Sequence, residues 1–257
     1  MSKTVNTSMN PRLWISLAVL LGSFTLVHLF YVGVVHPNAE TAIAALGSGA
    51  QKNIWVILKD VEQQVCISLM LYGFFLMGYK LMKLIDEEVI YTRDFLAAHD
   101  KSQPLDVDQA LHDLEASKYK ENPAMATWIN CIRRFRNTRN VQHAADAIES
   151  SVDSLAALLE SGNGMIKYII WAIPSIGFIG TVRGIGAALA SADQAINGGD
   201  ISGMVAYLGV AFNSTLVGIF ISLVLMFFMH LLNGRQDEMV LRTKASCEKH
   251  LLAHLHE

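Results

Sequence analysis

Thr181 and Thr215 are the side chains in this sequence whose type and spacing suggest chemistry. Each is a hydroxyl inside a long apolar run, and each centres a stripe of small residues. A hydroxyl donates one hydrogen bond and accepts two. In a dry setting it can therefore serve a carboxyl group in either protonation state, or line a path for a small cation. With Thr181 at zero on a helical wheel, Pro174, Gly177, Gly184 and Ala188 fall within about 60° of it. Gly180 precedes it directly, and Thr215 has a matching stripe of Leu208, Ala211, Gly218 and Ser222. Glycine costs a helix about 1 kcal/mol relative to alanine, but small residues let helices in lipid approach closely. Two readings stand side by side: matched hydroxyls lining a shared channel, or close packing with each threonine back-bonded to its own helix.

The depth of the two threonines is also matched. Thr181 lies 17 residues before Gly198 and Thr215 lies 17 after it, so a helical hairpin turning at Asn197–Gly198 carries both at one level. Arg183 is the anomaly, a permanent charge in an apolar run. It points about 160° away from Thr181, and Asn213 occupies the corresponding depth on the second helix. Arg183 either is satisfied between helices or subunits, with Asn213 a candidate partner, or snorkels to the outer headgroups. No aspartate or glutamate falls in 13–35, 65–85, 165–192 or 201–232. Intramembrane proton paths rely on such groups, so a titrating carboxylate is expected from another polypeptide.

The elements that must position these residues are membrane helices. Of 257 residues 52% are hydrophobic and 17% charged, and the mean hydropathy is +0.34. That balance excludes an ordinary soluble enzyme and fits an all-α polytopic membrane protein. The four apolar runs above are each long enough to span a bilayer; the first is too long for a cleaved signal and reads as a retained anchor. The chain divides into an anchor region with two spans (1–85), a helical insertion (86–164), a helical pair carrying the threonines (165–233) and a polar tail (234–257). Residues 36–64 read as a connection with a short surface helix. Within the insertion, 105–120 and 140–159 have helical periodicity. His28 reads as a hydrogen bond between helices, and the tail histidines 250, 254 and 256 as a solvated helix face. Eight lysines and arginines lie in the insertion, including the run Arg133, Arg134, Arg136 and Arg139, which reads as a solvated face or a site for a partner or headgroups. The tail has four, the connection two, and the acidic turn 193–200 none. Positive charge stays inside, so both termini and the insertion are expected in the cytoplasm. Cys66, Cys131 and Cys247 have no metal-ligand spacing and read as thiols in a reducing compartment. No nucleophile–base set and no nucleotide or nucleic-acid motif is present, so no enzyme, metal or cofactor is expected.

The run Gly180-Thr181-Val182-Arg183-Gly184-Ile185 resembles the G-T-V-x-G-I motif of the MotA/TolQ/ExbB proton-channel superfamily. Ser214-Thr215-Leu216-Val217-Gly218-Ile219 is similar to the pattern of that superfamily's next helix, and Pro174 sits where the flagellar-stator branch has a proline. The specific likeness covers about 169–222; four spans are nearer the flagellar stator than the three-span branch, and Arg183 departs from the common pattern. The resemblance implies a bacterial inner-membrane homopentamer around two copies of a single-span, MotB/TolR/ExbD-like partner. That partner's aspartate carries H+ or Na+ past the threonine ring, driving a molecular motor. The small-residue faces would then enclose a central space. A non-conducting membrane scaffold is the rival reading. Lipid is the surroundings in both, and nucleic acid in neither.

Overall fold

The computed structural model describes residues 9–97, 105–192, 198, 201–252 and 255. The acidic turn, apart from Gly198, and His254 and His256 lie outside them. Every regular element among the described residues is helical, and four helices are long and apolar enough to cross a membrane. The chain forms two compact units.

The first unit comprises residues 12–77 and 165–229. Helix α1 (Leu13–Phe30) widens into a π-helical turn, Tyr31–Val35, and resumes as α2 (His36–Leu46). The expected end near Val35 is therefore corrected: the helix continues past Pro37. A proline lacks an N–H and ordinarily breaks the ladder. Here it falls in the first turn of α2, immediately after a stretch bonded in the wider register. The run stops at Gly47, whose φ of 53° places it in the left-handed region. After α3 (Ile54–Leu58), capped by the Asn53 side chain accepting from the Trp55 N–H at 2.9 Å, α4 (Val61–Thr92) begins. Its start lies four residues before the expected span, so Glu62, Gln63 and Gln64 belong to the helix. The unit is completed by α8 (Gly164–Ala190) and the long α9 (Ser202–Ser246), most of whose apolar portion lies here. The expected bond of His28 exists, to the Gln64 side chain at 3.2 Å.

The second unit comprises 9–11, 78–164 and the described residues from 230 onward. It contains α5 (Val107–Ala116), α6 (Pro123–Thr138) and α7 (Val141–Gly162). Helix α5 is shorter than its periodicity suggests. It is capped by Asp106 and ends at Ser117, where the backbone turns extended. Helix α6 begins with proline in its first turn, where the missing N–H costs nothing. Its apolar face, Ala124, Trp128, Ile132 and Phe135, is buried. It ends at Arg139 in the left-handed conformation, and Asn140 then caps α7. Two members of the basic run are ion-paired on this unit, Arg133 with Glu115 at 2.8 Å and Arg136 with Asp108 at 3.6 Å. His250 departs from the expected solvated face: it pairs with Asp94 at 3.0 Å.

Candidate functional site

The two stripes meet each other within one chain. Helices α8 and α9 approach so closely that a methyl group at Gly177 would lie 2.8 Å from the Ser214 carbonyl oxygen. One at Gly184 would lie 2.7 Å from both the Ala211 nitrogen and the Tyr207 oxygen, and one at Gly180 would overlap the Ser214 side chain. Gly218 faces Pro174 and Gly177 from the other helix. Ala188 and Ala211 are buried in the same unit. These glycines accept their helix cost in exchange for backbone contact. The expectation that the stripe fronts an open central space is thereby corrected: most of it is occupied by the neighbouring helix of the same chain.

Pro174 leaves the Ile170 carbonyl without its usual N–H donor. Ser222 of α9 supplies the replacement, its hydroxyl donating to that oxygen at 2.9 Å. A kink-prone position is thus satisfied by a side chain from across the seam, as membrane helices require.

Thr181 and Thr215 meet at the middle of this contact, and their hydroxyls are hydrogen-bonded to each other. Thr181 also reaches the Ala211 carbonyl at 3.0 Å and Thr215 the Gly177 carbonyl at 3.3 Å. Each hydroxyl has one proton, so the pair can be ordered in two directions. Either Thr215 donates to Thr181 and Thr181 to Ala211, or the chain runs the other way and ends on Gly177. Such a pair can reverse without breaking the helices apart; in either order it offers a neighbour a lone pair, and it offers a proton when the terminal hydroxyl turns from its backbone carbonyl. Both side chains are only half-buried. Back-bonding to the chain's own helix is minor here, since Thr181 lies at 3.5 Å from the Gly177 carbonyl.

Arg183 is anchored elsewhere than expected. Its guanidinium donates to the Glu62 carboxylate at 2.7 Å and lies 3.8 Å from that of Asp60. Asn213 is half-buried and is not bonded to Arg183. Equal depth along two helices does not fix azimuth, and the pairing with Asn213 fails for that reason. Both carboxylates come from the α3–α4 junction, in a stretch that reads from sequence as a connector. Their signal was the polar run Lys59-Asp60-Val61-Glu62-Gln63-Gln64 directly before an apolar span. Glu62 is 8% exposed. The Gln63 amide, 1% exposed, donates to the Ile57 carbonyl at 3.1 Å and to the Ser214 hydroxyl at 3.3 Å. Ser214 adjoins Thr215, so the acidic cluster and the threonine pair are neighbours through one serine. Burial pushes the Asp60 carboxyl up, against the opposing pull of Lys59 and Arg183. Among the described residues no group of three or more His, Cys, Asp or Glu has the arrangement to hold a metal.

A family model described as the MotA/TolQ/ExbB proton channel family matches residues 116–245, just over half of the chain. The match includes α6, α7, α8 and nearly all of α9, with both threonines. The chain belongs to the MotA/TolQ/ExbB proton channel family. Neither the curated proteins nor the solved structures contain a significant match.

Proposed function

We propose that this chain is the channel-forming stator subunit of a proton- or sodium-driven motor in the bacterial inner membrane. The observation that carries the reading is the mutually bonded hydroxyl pair of Thr181 and Thr215, held across a glycine seam in a chain of this family. Five copies form a ring around a dimer of a single-span partner, which brings the ion-carrying aspartate to the level of the threonines. The helical unit between the second and third spans and both termini face the cytoplasm, following the placement of lysine and arginine. The subunit acts without cofactor or covalent chemistry.

In this mechanism the hydroxyl pair answers both states of the partner's carboxyl group. Facing a carboxylate, the terminal threonine turns its proton from the Ala211 or Gly177 carbonyl toward the charge; facing the neutral acid, it accepts a hydrogen bond from the acid's O–H. The direction of the pair decides which of the two threonines makes that turn. Each charging and neutralisation changes which threonine ring position the carboxyl prefers, and the ring steps around the partner.

Thr181→Val and Thr215→Val keep the side-chain shape and remove the hydroxyls. The intact complex is expected at normal yield, with ion-driven output falling sharply and most in the double variant. Normal output from assembled valine variants refutes the reading and favours a non-conducting scaffold.

A further inference from the structure

Glycines facing backbone fix how near α8 and α9 come, but they present no interlocking ridges, so a smooth seam resists sliding and rotation only weakly. The bond between Thr181 and Thr215 needs both to be fixed, because hydrogen bonds are directional. Helix α4 lies along both helices. A methyl group at Gly73 would stand 3.4 Å from Leu225 of α9 and 3.8 Å from Ile169 of α8. Apolar contacts of that kind are non-directional. At its head the same helix makes directional ones. A methyl group at Gly180 of α8 would overlap the Ser214 side chain of α9 and lie 3.2 Å from Glu62 of α4. Glu62 accepts from Arg183, one turn along α8, at 2.7 Å, and Gln63 donates to Ser214 at 3.3 Å. The neighbours Glu62-Gln63, Gly180-Thr181 and Ser214-Thr215 therefore converge, and α4 meets the residue directly before each threonine.

We propose that Gln63 is a positioning residue for the threonine pair: with the Glu62–Arg183 ion pair it holds α8 and α9 at the register in which Thr181 and Thr215 bond. Its use in ion passage rests on the channel reading above; the positioning does not. The orientation of the amide is fixed. The Ile57 carbonyl, 3.1 Å away, can only accept, so the nitrogen faces it and the second N–H is left for Ser214. Ser214 in turn gives its one proton to the Val210 carbonyl at 2.9 Å and receives Gln63 on a lone pair. This chain of bonds runs in one direction, whereas the threonine pair has two. Gln63 and Ser214 are each 1% exposed, so neither group is open to competing water. In the mechanism Gln63 touches neither the ion nor the partner's carboxyl group. It acts through Ser214 on the threonine beside it.

The test is disulfide trapping in the purified full-length protein carrying Thr181→Cys and Thr215→Cys, where sulfurs replace two hydroxyls that are bonded to each other. The rate of cross-linking under a mild oxidant reads how well the two positions face each other and needs no ion flow. Cys66, Cys131 and Cys247 are buried and stay in place. Gln63→Met keeps the side-chain length and removes the amide. Ser214→Ala removes the hydroxyl that receives it and leaves the bond from Gln63 to Ile57. Each is expected to slow cross-linking about fivefold, the worth of one hydrogen bond. The two together should slow it no further than either alone, because they break the same bond. An unchanged rate in either variant overturns the proposal. Losses that multiply in the combination also do, because each residue then acts through its own packing. Arg183→Gln, which releases the α8 arm, is expected to slow the reaction too, and a full rate there overturns the share given to the ion pair. In liposomes holding the complex with both threonines present, Gln63→Met is expected to lower ion flux severalfold at unchanged yield. Undiminished flux overturns the role in ion passage. A wild-type complex that conducts nothing instead refutes the channel reading, and the cross-linking result still decides the positioning.

Discussion

Replacing Gly184 with alanine separates the two uses of glycine in α8. The added methyl group would stand 2.7 Å from two backbone atoms of α9, the Ala211 nitrogen and the Tyr207 oxygen. Comfortable contacts lie near 3.5 Å, and no rotamer of α9 can yield, because both obstacles are main chain. The helices must part by roughly 0.5–1 Å to reach that separation. Overpacking of this kind costs about 1–3 kcal/mol, while alanine returns about 1 kcal/mol of helix propensity. The net loss is roughly 0–2 kcal/mol by the same estimates. The functional loss should be larger than the stability loss. Thr181 holds the Ala211 carbonyl at 3.0 Å, and parting the seam by that amount stretches this bond beyond useful range. Gly186 is the internal control: it is in the same helix, with nothing within 4 Å of an added methyl group. Gly186→Ala should therefore gain up to about 1 kcal/mol. Thermal unfolding in detergent and ion-driven output are the two assays. If Gly184→Ala matches Gly186→Ala in both, the backbone contact at Gly184 is not a constraint and the seam argument fails.

Arg183→Leu strands the Glu62 carboxylate, 10% exposed, without its cation, and should cost about 3 kcal/mol. Glu62→Gln should cost no more than about 1 kcal/mol, because the half-exposed guanidinium can turn to other surroundings; equal losses in a melting experiment would contradict this asymmetry. Lys80 is 1% exposed, and its ammonium has no hydrogen-bond partner. Lys80→Met should raise stability by roughly 1–4 kcal/mol, seen as a melting point higher by several degrees, and an unchanged or lower melting point would show that the amine is compensated.

The matched level of the threonines was legible because it needs only counting. Two helices joined by one turn rise equally per residue, so equal distances from the turn give equal depth. The small-residue stripes were legible for a similar reason, since a helical wheel shows which residues share a face. What that face meets is not written in the wheel, and here it meets the other helix of the same chain. The Arg183 anchor was hidden by separation: Glu62 is 121 residues away, on a segment whose polarity reads as a loop. Helix α6 has a sequence signal of its own. Ala124, Trp128, Cys131, Ile132 and Phe135 recur at helical spacing, behind a proline suited to a first turn. The π-helical turn at Tyr31–Val35 has no comparable sequence signal, because Val, Gly and Tyr serve equally in an ordinary membrane helix.

Hydrogen bonding distinguishes the two polar regions of the membrane helices. Along the α8–α9 seam the hydroxyls of Thr181, Ser214, Thr215 and Ser222 all have partners. Ser222 completes the carbonyl freed by Pro174, Ser214 donates to Val210 at 2.9 Å, and the threonines bond each other and the backbone. That region is fully bonded as it stands, so a visiting carboxylate gains a donor there only when the terminal hydroxyl leaves the Ala211 or Gly177 carbonyl. At the head of α4 the bonding is of another kind, an ion pair rather than a hydroxyl chain: Arg183 holds Glu62 at 2.7 Å, and the Gln63 amide next to it donates to Ser214 at 3.3 Å. Ser214 adjoins Thr215, so the level at which α4 meets α9 is tied to the level of the threonine pair. A change that moves Arg183 off Glu62 is therefore felt at the seam through Gln63 and Ser214.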